Sequence, residues 1–470
     1  MPSKQYRIFG WVGMWLYLLA LLIVSLWFRT YSMHAEWWCW GIGTVVLFFM
    51  ATYYCYQRWE HDDRKKFLMK VFWTAFLLHA LYVTAMLYYY HYRTGLSLEY
   101  GAADSIGYHL TASHFADDVR QGHFRKVFHQ LNANTMGFSD QGYVLYLTSL
   151  YTLFGKNVLG PRLLKALMSA WLCIALYRLA ERNLDEKTAR LAAVMGVFLP
   201  HFFHYNGTYL KETELIFLAT LAMERFDYLI HSKRYTFWNI LWPIVLTALT
   251  FGFRTIVGMI LIGSYFVTIL FAEPSLVSKK AKAIASTAVL LTTVLIMLTP
   301  IGKEILFTFQ LNFKESGFLT WKYQLLGLKY AEYAHYKYMA PGAFTLPLTN
   351  LVEVANNNQK LMNGTYFVKN YLAFFAMWCM VAAIREKKVR NFRLIGSYTL
   401  VYVLVIAFSF AANSERYHLP AMPGILIMAA FAMTHFKKKD GPWYYAYCGL
   451  LLVAIVGWNY LKPAARGLIP

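Results

Sequence analysis

Apolar residues in this chain fall into long unbroken runs rather than the alternating or one-sided patterns of a soluble fold. A hydrocarbon core of about 30 Å needs about 20 residues at 1.5 Å rise, so each such run predicts a membrane-crossing helix. Thirteen runs qualify, over residues 9–28, 37–57, 71–91, 158–180, 189–206, 212–231, 236–253, 255–272, 283–300, 367–384, 394–411, 418–435 and 443–460. The predicted fold class is therefore an all-α polytopic membrane protein, a single integral-membrane domain spanning 1–470, with two long connections at about 92–157 and 301–366. The first run is long, lacks a small-residue cleavage site and is followed at once by further spans, so it reads as a retained span rather than a signal peptide. A shorter apolar stretch, 142-GYVLYLTSLYTLFG-155, is too short to cross and predicts an interfacial helix, with Tyr143, Tyr146 and Tyr151 at the headgroup level.

Composition agrees, with 58% hydrophobic and only 15% charged residues, which excludes an ordinary soluble domain. A formal charge of +21 would suggest nucleic acid in a soluble protein, but the basic residues sit in short clusters between apolar runs, so the expected partner is the bilayer and not nucleic acid. With the N-terminus placed in the cytoplasm, 25 of the 45 Lys and Arg residues fall in inner connections and six in the short outer ones and the C-terminal tail, as the positive-inside rule requires. Both long connections are then non-cytoplasmic. Cys39, Cys55, Cys173, Cys379 and Cys448 lie in or beside apolar runs, without the spacing of a metal site or disulfide framework.

Four segments carry a resemblance. An acidic residue followed by an aromatic and a histidine opens the first outer segment, 104-DSIGYH-109. A surface helix ending in Phe-Gly precedes an Arg-Leu, in 142-GYVLYLTSLYTLFGKNVLGPRLLKALMSAW-171. A proline-marked helix gives a short polar loop that restarts as a helix, 200-PHFFHYNGTYLKETELIF-217, and a late outer turn carries an arginine, 413-NSERYHLPAMPGILIMAAF-431. In this order, over about 71–435, the chain resembles the GT-C superfamily of membrane glycosyltransferases, closest to the family 39, dolichyl-phosphate-mannose mannosyltransferase-like proteins, with aminoarabinose transferases and oligosaccharyltransferase catalytic subunits as more distant relatives. It departs in carrying two extra spans within 1–70 before the helix that would be first in the family. The family-like core is then 71–300, the second outer segment 301–366 resembles a lid, and 367–470 holds the C-terminal spans.

The resemblance implies an inverting transferase that moves a sugar from a polyprenyl-phosphate donor to a hydroxyl or amine of a glycan, lipid or protein acceptor, at the outer face of what reads as a bacterial inner membrane. It assigns Asp104 as the general base; the same residue also reads as an N-cap of a helix over 105–116. Arg416 is assigned to donor phosphate, which its planar fork suits; a salt bridge to Glu415 or a headgroup anchor is the structural alternative. Lys211 stands against a helix dipole and needs an anion, either Glu212 or donor phosphate. Arg162 matches the family motif and is a further phosphate candidate, with Lys165 beside it. Tyr108, His109, Glu99, Glu212, Arg254 and Tyr417 are cavity candidates. Metal-dependent relatives place aspartates where this chain has Lys211 and Glu212, so a divalent cation, Mg or Mn, would have only Asp104 and Glu212 to hold it. His201 and His204 lack a third ligand at zinc spacing. The segment 321-WKYQLLGLKYAEYAHYKYM-339 reads as a Tyr- and Lys-rich interfacial lid. An O-antigen-type polymerase or ligase would show a second arginine-rich outer loop, and a lipid-linked sugar flippase would show internal repeats or paired broken spans; the sequence shows neither.

Overall fold

A computed structural model of the chain describes residues 2–134, 138–313, 342–353, 355–407 and 414–464. Among these residues the fold is helical, without a sheet. Helix α1 (Pro2–Trp27) is followed by α2 (Ala35–Val46), which passes through a π-turn into α3 (Thr52–Trp59), and by the long α4 (Arg64–Thr94). The first long connection holds α5 (Ala103–Arg120), α6 (Phe124–Asn134) and α7 (Phe138–Phe154). Next come α8 (Leu159–Asn183), α9 (Glu186–Phe198), α10 (Pro200–Gly207), α11 (Glu212–Ser232), α12 (Phe237–Phe253), α13 (Thr255–Leu270), α14 (Lys279–Met297) and α15 (Pro300–Phe313). The chain closes with α16 (Asn357–Leu361), α17 (Asn363–Arg385), α18 (Arg393–Ala407), α19 (Glu415–His418), α20 (Met422–Thr434) and α21 (Gly441–Ala464).

Nine helical stretches among the described residues are long and apolar enough to cross a bilayer, and α12 and α13 are shorter apolar helices. This is an α-helical, multi-pass membrane fold. Nine of the thirteen expected spans match these stretches, the runs 236–253 and 255–272 form the shorter α12 and α13, and two others differ in kind. The run 189–206 is divided because Leu199, which precedes Pro200, is forced into an extended conformation (φ −63°, ψ 118°). The run 212–231 forms a helix of full length, but Glu212, Glu214, Glu224, Arg225 and Asp227 make it far more polar than a lipid-facing span. The helix expected at the interface, α7, begins at Phe138, four residues before the apolar stretch that announced it. The proposed lid, 321–339, lies outside the described residues.

Turns on the basic face are fixed by side-chain caps. Asp63 accepts from the Lys66 amide at the start of α4, Asp185 caps α9, and Ser278 caps α14. At the opposite face α4 ends on Gly95 in the left-handed region (φ 72°), which releases the chain into the first long connection. Helices α4, α8, α11 and α12 pack in succession, while α9, α17 and α20 form a centre in which α9 and α20 are almost wholly buried. The two N-terminal spans rest on the C-terminal ones, α1 on α21 and α2 on α17, tied by a Tyr17–Asn363 hydrogen bond of 2.6 Å. Large apolar side chains such as Leu81, Leu295 and Val453 are exposed around the perimeter, as lipid contact demands and water would penalise.

Candidate functional site

Four breaks in the helical framework meet at one face: the start of α5, the α10–α11 turn, the α12–α13 corner and α19. The α12–α13 corner is the single extended residue Arg254. Helix α7 reaches that corner because Gly142 lies directly on Gly252; a Cβ on Gly142 would come within 2.7 Å of the Gly252 carbonyl. Only two glycines allow that approach.

The side chains brought together form a chain of ion pairs. Arg416 donates from Nη1 to Asp104 and from Nε to Glu212 Oε1 at 2.5 Å. Arg254 reaches the same Glu212 oxygen at 3.2 Å, and its guanidinium lies 4.6 Å from the centre of the Tyr417 ring. Glu212 is fully buried, whereas the Asp104 side chain is 41% exposed. Asp104 occupies the first turn of α5, whose N-cap is Ala102; it points to Arg416 rather than capping the helix, which corrects the cap expectation. Arg416 likewise leaves Glu415 aside. Glu415 turns into the core, where His201 Nε2 lies 2.6 Å and Lys369 Nζ 3.1 Å from its two oxygens, so the turn carrying Arg416 is anchored from α10 and α17.

Lys211 does not pair with Glu212. It donates to the Asp140 carboxylate and, at 2.6 Å, to the Ser139 carbonyl, with the Tyr108 hydroxyl donating to the same Asp140 oxygen at 2.7 Å. Burial alone would raise the Asp140 carboxyl, but Lys211, Tyr108 and Arg254 outweigh it and hold it below its ordinary value. Burial, helped by Arg254, pushes the Lys211 ammonium down to about 8 although Asp140 and Glu212 oppose this. Burial and then Asp140 raise the Tyr108 phenol well above its usual range. Beside this group Glu304 of α15 accepts from the Phe138 amide at 2.6 Å, from the Ser139 hydroxyl and from Thr255 at 3.3 Å. Asp140, Ser139 and Glu304 were not singled out by the sequence. Asp140 looked like an ordinary acid at a helix start, and nothing local tied Glu304 to a residue 165 positions away.

Arg162, Glu99 and His109 form a separate layer behind this group. Arg162 is fully buried, 4.0 Å from Glu99 and 5.8 Å from the centre of the Tyr209 ring, and its three guanidinium nitrogens have no hydrogen-bond partner among the described residues. Glu99 accepts from the Tyr209 amide at 3.0 Å and from Ser105. His109 meets Tyr151 at 2.7 Å, and Tyr151 bonds Tyr209; burial and then Lys156 depress the His109 imidazole. Lys165 holds the Thr208 and Leu210 carbonyls. These residues brace the α10–α11 turn. Tyr143 and Tyr151, expected at the headgroups, are buried on that same turn, because the spacing 143, 147, 151 forms the inner face of α7.

No group of three or more His, Cys, Asp or Glu that could hold a metal occurs among the described residues. Asp104 and Glu212 do converge, but on a guanidinium, with Arg254 and Lys211 close by. That donor set does not suit Mg or Mn, and no step below is routed through a metal.

An apolar groove of about 660 Å³ runs between α12, α13 and α14. It extends from Phe226 and Ile240 near the basic face to Phe138 and Ile301 at the other end. Along α14 its lining spans Ala285 to Ile296, about 17 Å at 1.5 Å per residue and over half of the hydrocarbon core. Phe138, which lines that end of the groove, precedes Ser139, the residue whose carbonyl accepts from Lys211. No protein-family model matches the chain, and no curated protein matches it.

Proposed function

We propose that this chain is an inverting membrane glycosyltransferase of GT-C type that takes its sugar from a polyprenyl-phosphate carrier. One observation carries the reading: a long apolar groove reaches Phe138, the residue before Ser139, and Ser139 belongs to a buried cluster holding Arg254, Arg416 and Lys211, with a half-exposed carboxylate, Asp104, at its edge. Such a pairing suits an amphiphile with a long hydrocarbon tail and an anionic head. The tail lies along α12–α14 and the phosphate meets the arginines, of which Arg416 is the more accessible.

Arg416 engages donor phosphate by exchanging Asp104 for a phosphate oxygen, a swap between two acceptors of like charge. Asp104, released, takes the proton of the acceptor hydroxyl or amine. The acceptor oxygen or nitrogen then bonds to the anomeric carbon from the face opposite the phosphate, the carbon–oxygen bond to phosphate breaks, and polyprenyl phosphate leaves with the electron pair. Configuration inverts. Arg416 and Arg254 stabilise the charge that grows on the leaving group, where fixed cations are most effective. Glu212 remains between the two arginines and keeps them from repelling one another.

Purified protein incubated with a panel of radiolabelled polyprenyl-phosphate sugars and membrane extract as acceptor tests the reading. It predicts label transferred into an acceptor with inverted configuration and lost on Asp104→Ala. Movement of the labelled lipid across vesicles with no covalent transfer would replace it with a flippase.

A further inference from the structure

A second groove lies at the opposite, basic face, the face the charge rule assigns to the cytoplasm. There α17 ends beside the start of α21, and a space of about 420 Å³ between them is lined by Trp378, Val381, Ile384, Arg385, Lys439 and Trp443, with Asp440 at its base. Its two sides differ in character. Val381, Ile384 and Trp443 are exposed apolar side chains at the ends of membrane-crossing helices, so lipid chains run past them. The two indoles stand 6.4 Å apart and tilted by 33°, and Trp at this depth belongs to the glycerol and carbonyl layer of a bilayer.

The polar side is rigid, and most of its charge is cancelled. Arg385 Nη1 lies 2.9 Å from both Asp440 oxygens, its Nη2 donates to the His435 carbonyl, and Asp440 accepts from the Lys437 amide. Lys437 neutralises Glu386 at 2.9 Å. What remains is Lys438 and Lys439, both exposed and without an ion pair among the described residues. Lys439 borders the groove. A groove with apolar walls, an indole pair at interfacial depth and net positive charge at its polar end is complementary to one class of molecule present at that depth.

We propose that this groove holds one anionic phospholipid of the inner leaflet, with its acyl chains along Val381 and Ile384, its glycerol region against Trp378 and Trp443, and its headgroup phosphate on Lys439. A zwitterionic lipid would bring a cation to the same lysines and gain less. The site is independent of the transferase site and stands or falls separately.

The test is native mass spectrometry of the full chain released from micelles containing equal phosphatidylglycerol and phosphatidylcholine. The expected result is retention of one phosphatidylglycerol in preference to phosphatidylcholine by about fivefold, the worth of one lysine at an anionic surface. Lys439→Glu should abolish the preference, Lys439→Gln should reduce it, and Trp443→Ala should lower retention of both lipids. Lys280→Glu, an exposed basic position at the start of α14 on the same face, should change nothing and also controls for folding. Equal retention of the two lipids by the unaltered chain, or a preference that survives Lys439→Glu or falls equally with Lys280→Glu, overturns the proposal.

Discussion

Replacing Asp104 with asparagine should push donor binding and turnover in opposite directions. The cluster holds three cations, Arg254, Arg416 and Lys211, against four carboxylates, Asp104, Glu212, Asp140 and Glu304. It carries no net positive charge even after one carboxylate yields, so a phosphate binds by taking that carboxylate's place on a cation. Asp104 is the carboxylate able to yield, at 41% exposed against 0% for Glu212. An unscreened pair at about 4 Å and an effective dielectric of about 20 is worth about 4 kcal/mol, but solvent-exposed pairs measure about 0.2–1 kcal/mol. A half-exposed aspartate lies between these, at about 1–2 kcal/mol, so its neutralisation should tighten polyprenyl phosphate binding by about 5- to 30-fold. Turnover should fall by about 10²- to 10⁴-fold because the general base is gone. Calorimetric titration of the protein in nanodiscs with polyprenyl phosphate gives the first quantity and product formation from labelled donor the second. Weaker or unchanged lipid-phosphate binding in Asp104→Asn would refute the idea that this carboxylate competes with phosphate for Arg416.

Three further outcomes follow from the same geometry. Glu212→Gln, unlike the Asp104 change, strips a buried anion from between two guanidinium groups and should destabilise the protein by about 3–5 kcal/mol, visible as loss of monodisperse material and of melting temperature. Transfer should decline above pH about 8 as Lys211 loses its proton and its hold on Asp140, and Lys211→Arg should remove that decline. Because the native Lys211 value lies below the about 10.4 of an unfolded lysine, the unfolded chain binds more protons between these values, so thermal stability should rise with pH over the window in which activity falls. Ala288→Trp, placed in the groove between α12 and α14, should raise KM for a long-chain donor and leave a short-chain analogue unaffected; equal effects on both would separate the groove from the lipid tail.

The membrane-crossing architecture was legible because lipid imposes a length and a composition on each span, and the runs at 9–28, 71–91 and 158–180 fall within α1, α4 and α8. Asp104 and Arg416 were legible for a different reason: the family resemblance singled out both, and Arg416 is also a charge at a helix margin, where an unpaired ion is costly; the structure joins them across 312 positions of sequence. Partners within the cluster were not legible. Lys211 was read against its sequence neighbour Glu212 or donor phosphate, yet in the structure it pairs with Asp140, on the helix seated by the Gly142–Gly252 contact, which no local pattern announces. Arg162 was a further phosphate candidate because it matches the family motif; packing separates its fully buried guanidinium from that of Arg416, which is 21% exposed. The tyrosines of α7 failed similarly, since an interfacial tyrosine and one buried with its hydroxyl hydrogen-bonded have the same signature in a sequence.

A cryo-EM structure of the protein in nanodiscs with a polyprenyl phosphate is the most direct test. The account predicts phosphate density within hydrogen-bonding reach of Arg416, Asp104 turned away from it, and the hydrocarbon tail between α12 and α14. A phosphate bound elsewhere with the Asp104–Arg416 pair intact, or a tail on another face of the bundle, would contradict it.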